Sequence, residues 1–239
     1  MQATKTEFHE ALPHSAIKEV FEGVYIVMGT YIATYGEEQW QFSRNMTIVK
    51  EGNELTLINA IRLDDAGLAA LERLGDVKNI IKLGAAHGID NAFYADRYRA
   101  SIWALPGDEH EDGLHITETL SPDHLPFIDA ALYAFHSSKP EAILEIKRNG
   151  GIIVSCDSIK NWSFADEFFS KESAEKMGQY GMLRPVDIDR NWVASCSISQ
   201  SDFEGLLSLE FQHLIPGHGQ IVQGTAHEKV KDAVADAFA

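Results

Sequence analysis

The sequence predicts an α/β chain of four layers, αββα, in which two β-rich halves, each followed by helices, stack their sheets and cover the outer faces with helices. Three observations lead there. The first half opens as strands: residues 24–27 are apolar and β-prone, and residues 45–50 and 54–59 flank Glu51, Gly52 and Asn53 as a hairpin. The second half repeats the theme with strands at 132–135, 142–146 and 151–155, the last two joined by a turn at 147–150. Helical spacing follows each half, in Leu68, Leu71 and Leu74, and in Val230, Ala233, Val234 and Phe238 along residues 227–239.

The remaining elements fit between these. Asp64 and Asp65 can cap a helix that runs to Leu74 and ends at Gly75. A strand at 79–83, a helix at 91–98 and a strand at 100–105 follow, the last stopped by Pro106-Gly107. Residues 108–126 are polar and without period, which marks a loop or flap carrying His110, His115 and His124. Residues 161–190 read as helical or irregular, with Trp162, Phe164, Phe168 and Phe169 packing a helix or lining a groove. A helix at 201–209, starting near Ser201 or Asp202, leads to a strand at 212–215 and then to Pro216-Gly217-His218-Gly219. With no internal repeat and no low-complexity tract, 239 residues are expected to form a single domain spanning 1–239.

Composition narrows the classes of function. Hydrophobic residues make up 45% and charged residues 23%, the balance of a globular protein with a sizeable core. The formal net charge of −16, from 36 acidic and 20 basic side chains, disfavours nucleic acid or an anionic membrane as a partner, although a metal or a local basic patch can still attract an anionic substrate. Two cysteines, Cys156 and Cys196, are too few for a disulfide framework. The first ten residues hold no apolar run, no stretch has the length of a membrane span, and a cytoplasmic location is the default expectation. No G-x-G-x-x-G follows a strand and no G-x-S-x-G occurs, which leaves dinucleotide binding and serine hydrolysis without support.

Potential metal ligands recur at strand ends. His87 and Asp90 follow the strand ending at Leu83, His136 follows 132–135, Asp157 follows the strand that ends near Cys156, and His218 follows 212–215. Loops at strand ends are where a rigid scaffold presents groups to a site. A lone histidine or aspartate there is more often a turn or cap residue than a ligand, but repetition at four strand ends makes chance less attractive.

These residues carry a resemblance to the metallo-β-lactamase superfamily. The block from Ala134-Phe135-His136-Ser137-Ser138, through the strand 142–146, to Gly151-Ile152-Ile153-Val154-Ser155-Cys156-Asp157 looks like the superfamily's histidine, strand, turn, strand, aspartate unit. Ile215-Pro216-Gly217-His218-Gly219 looks like its terminal histidine motif, and residues 45–59 like its early hairpin. Its first motif, H-x-H-x-D-H, is altered: with Asp90 in the aspartate place, Ala86, Gly88 and Asn91 fill the histidine places, and His87 lies one residue out of register. Such an offset is expected to turn a side chain elsewhere.

The resemblance implies a groove that holds one divalent metal, zinc first and iron or manganese as alternatives, with Asp90, His136, Asp157, His218 and His87 as candidate ligands. Asp90 and Asp157 are the candidate catalytic carboxylates, Asp90 orienting a water or accepting its proton if it is not itself a ligand. The expected activity is metal-dependent hydrolysis of an unidentified small substrate, with residues 162–169 as part of its wall. The alternative is a catalytically silent domain of the same fold that binds a small molecule or a partner chain without metal; an iron-bound redox role is a third reading. Cys156 is a soft ligand or a buried thiol. A homodimer is the default assembly.

Overall fold

The computed structural model describes residues 8–108 and 114–239; His110 lies outside them. The first half supplies β1 (Lys18–Phe21), β2 (Val24–Tyr35), β3 (Glu38–Glu51), β4 (Glu54–Ile58), α1 (Asp65–Leu74), β5 (Asp76–Lys82), α2 (Asn91–Tyr98), β6 (Ser101–Ala104) and β7 (Glu118–Thr119). The second half supplies β8 (Ala130–Ala134), β9 (Ala142–Ile146), β10 (Ile152–Val154), α3 (Lys171–Gln179), α4 (Arg190–Cys196), α5 (Gln200–Leu206), β11 (His213–Ile215) and α6 (Ala226–Ala237). Strands β1 to β7 form one sheet in sequence order, and β11-β10-β9-β8 form the other.

Consecutive strand residues point to opposite faces, and the buried side chains divide accordingly. Val49, Ile58 and Ile81 of the first sheet meet Leu144, Ile152 and Val154 of the second in a core between the sheets. Their chain neighbours Ile48, Leu57 and Ile80 pack instead beneath Leu68, Leu71, Phe93 and Tyr94 of α1 and α2. Ile143 and Ile153 face Phe203, Leu206, Val230 and Val234 of α5 and α6. Doubly buried strands of this kind give the αββα order, and each fully buried aliphatic side chain contributes roughly 2 kcal/mol.

Local chemistry sets the element ends. The Asp64 carboxylate accepts the Gly67 N–H to start α1. Ser199 and Asp202 form a capping box at α5, one residue earlier than the sequence suggests. Gly52 (φ +59°) and Gly36 (φ +64°) occupy the first central positions of two-residue turns joining β3 to β4 and β2 to β3. The second turn belongs to a hairpin whose sequence signal extends only to residue 27, whereas β2 and β3 pair continuously from Val24↔Val49 to Tyr35↔Glu38. Its outer half reads irregularly because it leaves the core and overhangs a cavity. Helix α4 has only seven residues and is started by Asp189, whose carboxylate accepts the Asn191 and Trp192 N–H groups. No described helix is long and apolar enough to cross a membrane.

Candidate metal centre

Strands β10 and β11 are parallel neighbours paired Val154↔Ile215, so the loops at their C-terminal ends emerge side by side. Asp157 and His218 each lie three residues beyond those paired positions. Asn45 fixes the second loop, its side-chain amide donating to the Pro216 and Gly219 carbonyls at 2.9 and 2.6 Å. Gly219 takes φ +88° against the Asn161 carbonyl, where a Cβ would lie 2.1 Å from that oxygen, so this turn accepts only glycine. Buried Glu141 fixes the first loop, one oxygen accepting the Asp157 and Ser158 N–H groups at 2.9 and 2.7 Å.

The third arm comes from the other sheet. Beyond β5 the chain crosses to the start of β9, with Gly84 bridged to Glu141 and the Ala85 N–H donating to the Pro140 carbonyl at 3.0 Å. This crossing delivers His87 to Asp157 and His218, contrary to the register expectation. His87 Nε2 lies 3.1 Å from His218 Nε2 and 3.7 Å from Asp157 Oδ1, and His218 Nε2 lies 3.1 Å from the same oxygen.

The opposite ring nitrogen assigns the tautomer. His218 Nδ1 lies 2.9 Å from the Ser43 carbonyl, an obligate acceptor, so Nδ1 carries hydrogen and Nε2 of the neutral ring presents a lone pair. Burial pushes the His218 pKa down and disfavours the imidazolium. Burial alone would raise the Asp157 carboxyl, but the neighbouring His87 holds it well below the usual range. An anionic oxygen and a nitrogen lone pair facing each other at 3.1 Å are accommodated by a donated proton or a metal ion between them. Ligands about 2.1 Å from a tetrahedral zinc stand roughly 3.4 Å apart, so the 3.1 to 3.7 Å spacing of these three donors fits such an ion. A carbonyl holding the far ring nitrogen is the usual outer support of a metal-binding histidine.

Cys156 Sγ also lies within 4.8 Å of ligand atoms of His87 and Asp157. Burial pushes its thiol well above the ordinary range, and it packs in the core between the sheets, so His218 is the better third donor.

Two of the expected residues are elsewhere. His136 turns outward, its side chain 92% exposed, with Nδ1 3.1 Å and its backbone N 3.3 Å from Asp202 Oδ1. The carboxylate at the start of α5 captures it, while Phe135 beside it is buried among the outer helices. Asp90 is buried, and its Oδ2 receives the Arg44 guanidinium and, at 3.0 Å, the Arg62 N–H. Its carboxylate holds a guanidinium and does not line the cavity, which corrects its expected place among the ligands and at the reacting centre. Of the loop histidines, His124 stands at the surface beside Glu118.

Above the three donors opens a cavity of about 500 Å³, walled by Tyr31, Tyr35, Trp40, Phe42, Trp162 and Tyr180 together with Met177, Met182, Ile89, Arg44 and Lys160. Trp162 is the part of segment 162–169 that lines it; Phe168 is buried, and Phe169 packs on Trp162. Most of the remaining wall lies on the hairpin β2–β3, beyond the strands the sequence suggests. Its signal was present as Trp40, Phe42 and Arg44 at a spacing of two, which places them on one face of β3, with Tyr31 opposite Phe42 on β2.

No family model matches the sequence, and no curated protein matches it. Solved structures do. The metallo-β-lactamase FIM-1 from Pseudomonas aeruginosa, in its mono-zinc form, matches with a TM-score of 0.60 at 14% identity over 95% of this chain and 97% of that one. A metallo-β-lactamase from Hirschia baltica matches with a TM-score of 0.60 at 13% identity over 94% and 99% of the two chains. One from Erythrobacter litoralis gives 0.56 at 13% identity, with 92% of each covered. The chain therefore has the metallo-β-lactamase fold, while identity at this level speaks to fold and not to substrate.

Proposed function

We propose that this chain, built on the metallo-β-lactamase fold, is a hydrolase that holds one divalent ion between His87, Asp157 and His218 and acts on a small molecule seated in the cavity above them. The supporting observation is the convergence of two ring nitrogens and an anionic oxygen at 3.1 to 3.7 Å, with the His218 tautomer fixed by the Ser43 carbonyl. Two nitrogens and one oxygen suit zinc, and iron or manganese are the alternatives. When bound, such an ion would polarise an ester, lactone, amide or phosphoester and make a bound water acidic enough to attack it near neutral pH.

The chain's own residues orient and enclose. Glu141 holds the Asp157 loop by two backbone N–H groups, so the carboxylate is presented at a fixed angle. Ser43 and the edges of Phe42 and Trp162, with ring centroids 5.6 and 5.0 Å away, keep the His218 ring in place. The aromatic walls exclude bulk water from the floor, which strengthens every electrostatic contact there. Asp90 acts at a distance by pinning Arg44 to the wall.

The presence of Ala86, Gly88 and Asn91 where the superfamily has histidines favours a second reading, a metal-free domain that binds a small molecule. Metal analysis separates the two. Protein prepared without chelator, equilibrated with zinc, iron(II) or manganese and desalted, is expected to retain one ion per chain and to hydrolyse aryl esters only when loaded. Retention of no ion under any of these conditions overturns the first reading.

A further inference from the structure

The charges around the cavity are already paired. Arg44 is held by Asp90 and lies 5.3 Å from the centre of the Tyr31 ring. Lys160 stands 3.4 Å from Asp189 and 4.0 Å from Asp157, with its ammonium 5.6 Å from the centre of the Trp162 ring. Of the two cations in the cavity wall, Arg44 is thus paired with Asp90, and Lys160 with the wall's two carboxylates, Asp157 and Asp189.

A ligand bearing a carboxylate or an ammonium would have to break one of these desolvated pairs or sit beside them uncompensated, and either is unfavourable. An uncharged aromatic molecule breaks none. What the mouth does offer is ring surface: Tyr180 is 66% exposed and Tyr35 61%, and Tyr180 stacks near Trp40 with ring centroids 6.2 Å apart and an interplanar angle of 30°. Apolar rings left this open at a concave opening mark a place for an apolar partner surface.

We infer that the cavity selects an uncharged aromatic small molecule, with Tyr35 and Tyr180 as specificity-determining residues at its mouth. This rests on the hydrolase reading only in naming its substrate as a neutral aryl ester, lactone or amide; the selection itself is a property of the walls.

The test is calorimetric titration of the full chain, metal-stripped and zinc-supplemented, with naphthamide, naphthoate and naphthylmethylammonium. The amide is expected to bind about ten-fold tighter than either charged relative in the metal-stripped preparation, where the walls alone decide. Tyr180→Ala is expected to weaken the amide about five-fold while leaving the melting temperature unchanged, since the ring is exposed. Equal or tighter binding of either charged probe by the stripped protein, no measurable binding of the amide, or an unaltered Tyr180→Ala variant each overturns the inference. Preference for the amide without metal uptake keeps the inference and sinks the hydrolase reading; metal uptake with the carboxylate preferred by the stripped protein does the reverse.

Discussion

The Nε2 atoms of His87 and His218 face each other at 3.1 Å across the junction of two sheets, although the two residues lie 131 positions apart in the chain. Two imidazole nitrogens hold that distance only around a shared proton or a shared metal ion, and the tautomer fixed at Ser43 leaves His218 Nε2 free to ligate.

The Arg44–Asp90 pair is the first place to test the cavity wall. Both side chains are under 10% exposed, so removing one partner strands a buried charge. Arg44→Ala should cost about 3 to 5 kcal/mol in urea unfolding, and the Arg44→Met, Asp90→Asn double variant should recover most of it. An Arg44→Ala loss below that of an ordinary surface substitution would show that Asp90 does not depend on the guanidinium.

Glu141 carries a pH prediction. Burial, aided by the nearby Asp157 charge, raises its pKa from 4.5 to about 8. Between these values the folded protein binds a proton that the unfolded chain has lost, so this group's contribution falls as pH rises from about 5 to 8. Glu141→Gln keeps an acceptor for the Asp157 and Ser158 N–H groups and removes the titration. Its stability should therefore decline less than that of the unaltered protein over that window, measured by unfolding at a series of pH values; parallel curves would refute the assignment.

Gly219→Ala is expected to be severely destabilising, because its left-handed backbone and the Asn161 carbonyl both reject a Cβ. The effect should reach His218 beside it, so whatever fraction folds should show a displaced His218 ring in heteronuclear spectra. A folded variant with an unshifted ring would contradict the role given to this turn.

The layers were legible because their cause is local: the β-prone apolar runs at 142–146 and 152–154 and the cap at Asp64 carry their own signals, whereas the cap of α5 at Ser199 went to its neighbours Ser201 and Asp202 in the sequence reading. The site was legible only in part. Asp157 and His218 follow from strand ends that sit side by side, which order along the chain can suggest. His87 is brought in by contacts of the 83–90 loop with Pro140 and Glu141, some fifty residues away, and no local register encodes that. His136 occupies a promising strand end but is taken by Asp202, a partner 66 residues distant. The cavity walls were missed because an overhanging hairpin lacks the clean pattern of a buried strand, although its same-face aromatics were there to be counted.

The contrast between His87 and His136 tests the central claim most directly. Zinc affinity measured by competition with a chromophoric chelator should fall at least roughly 100-fold in His87→Ala, beyond what loss of an outer support of a ligand usually costs, and should be unchanged in His136→Ala. Zinc binding that survives His87→Ala and is lost in His136→Ala would contradict the account.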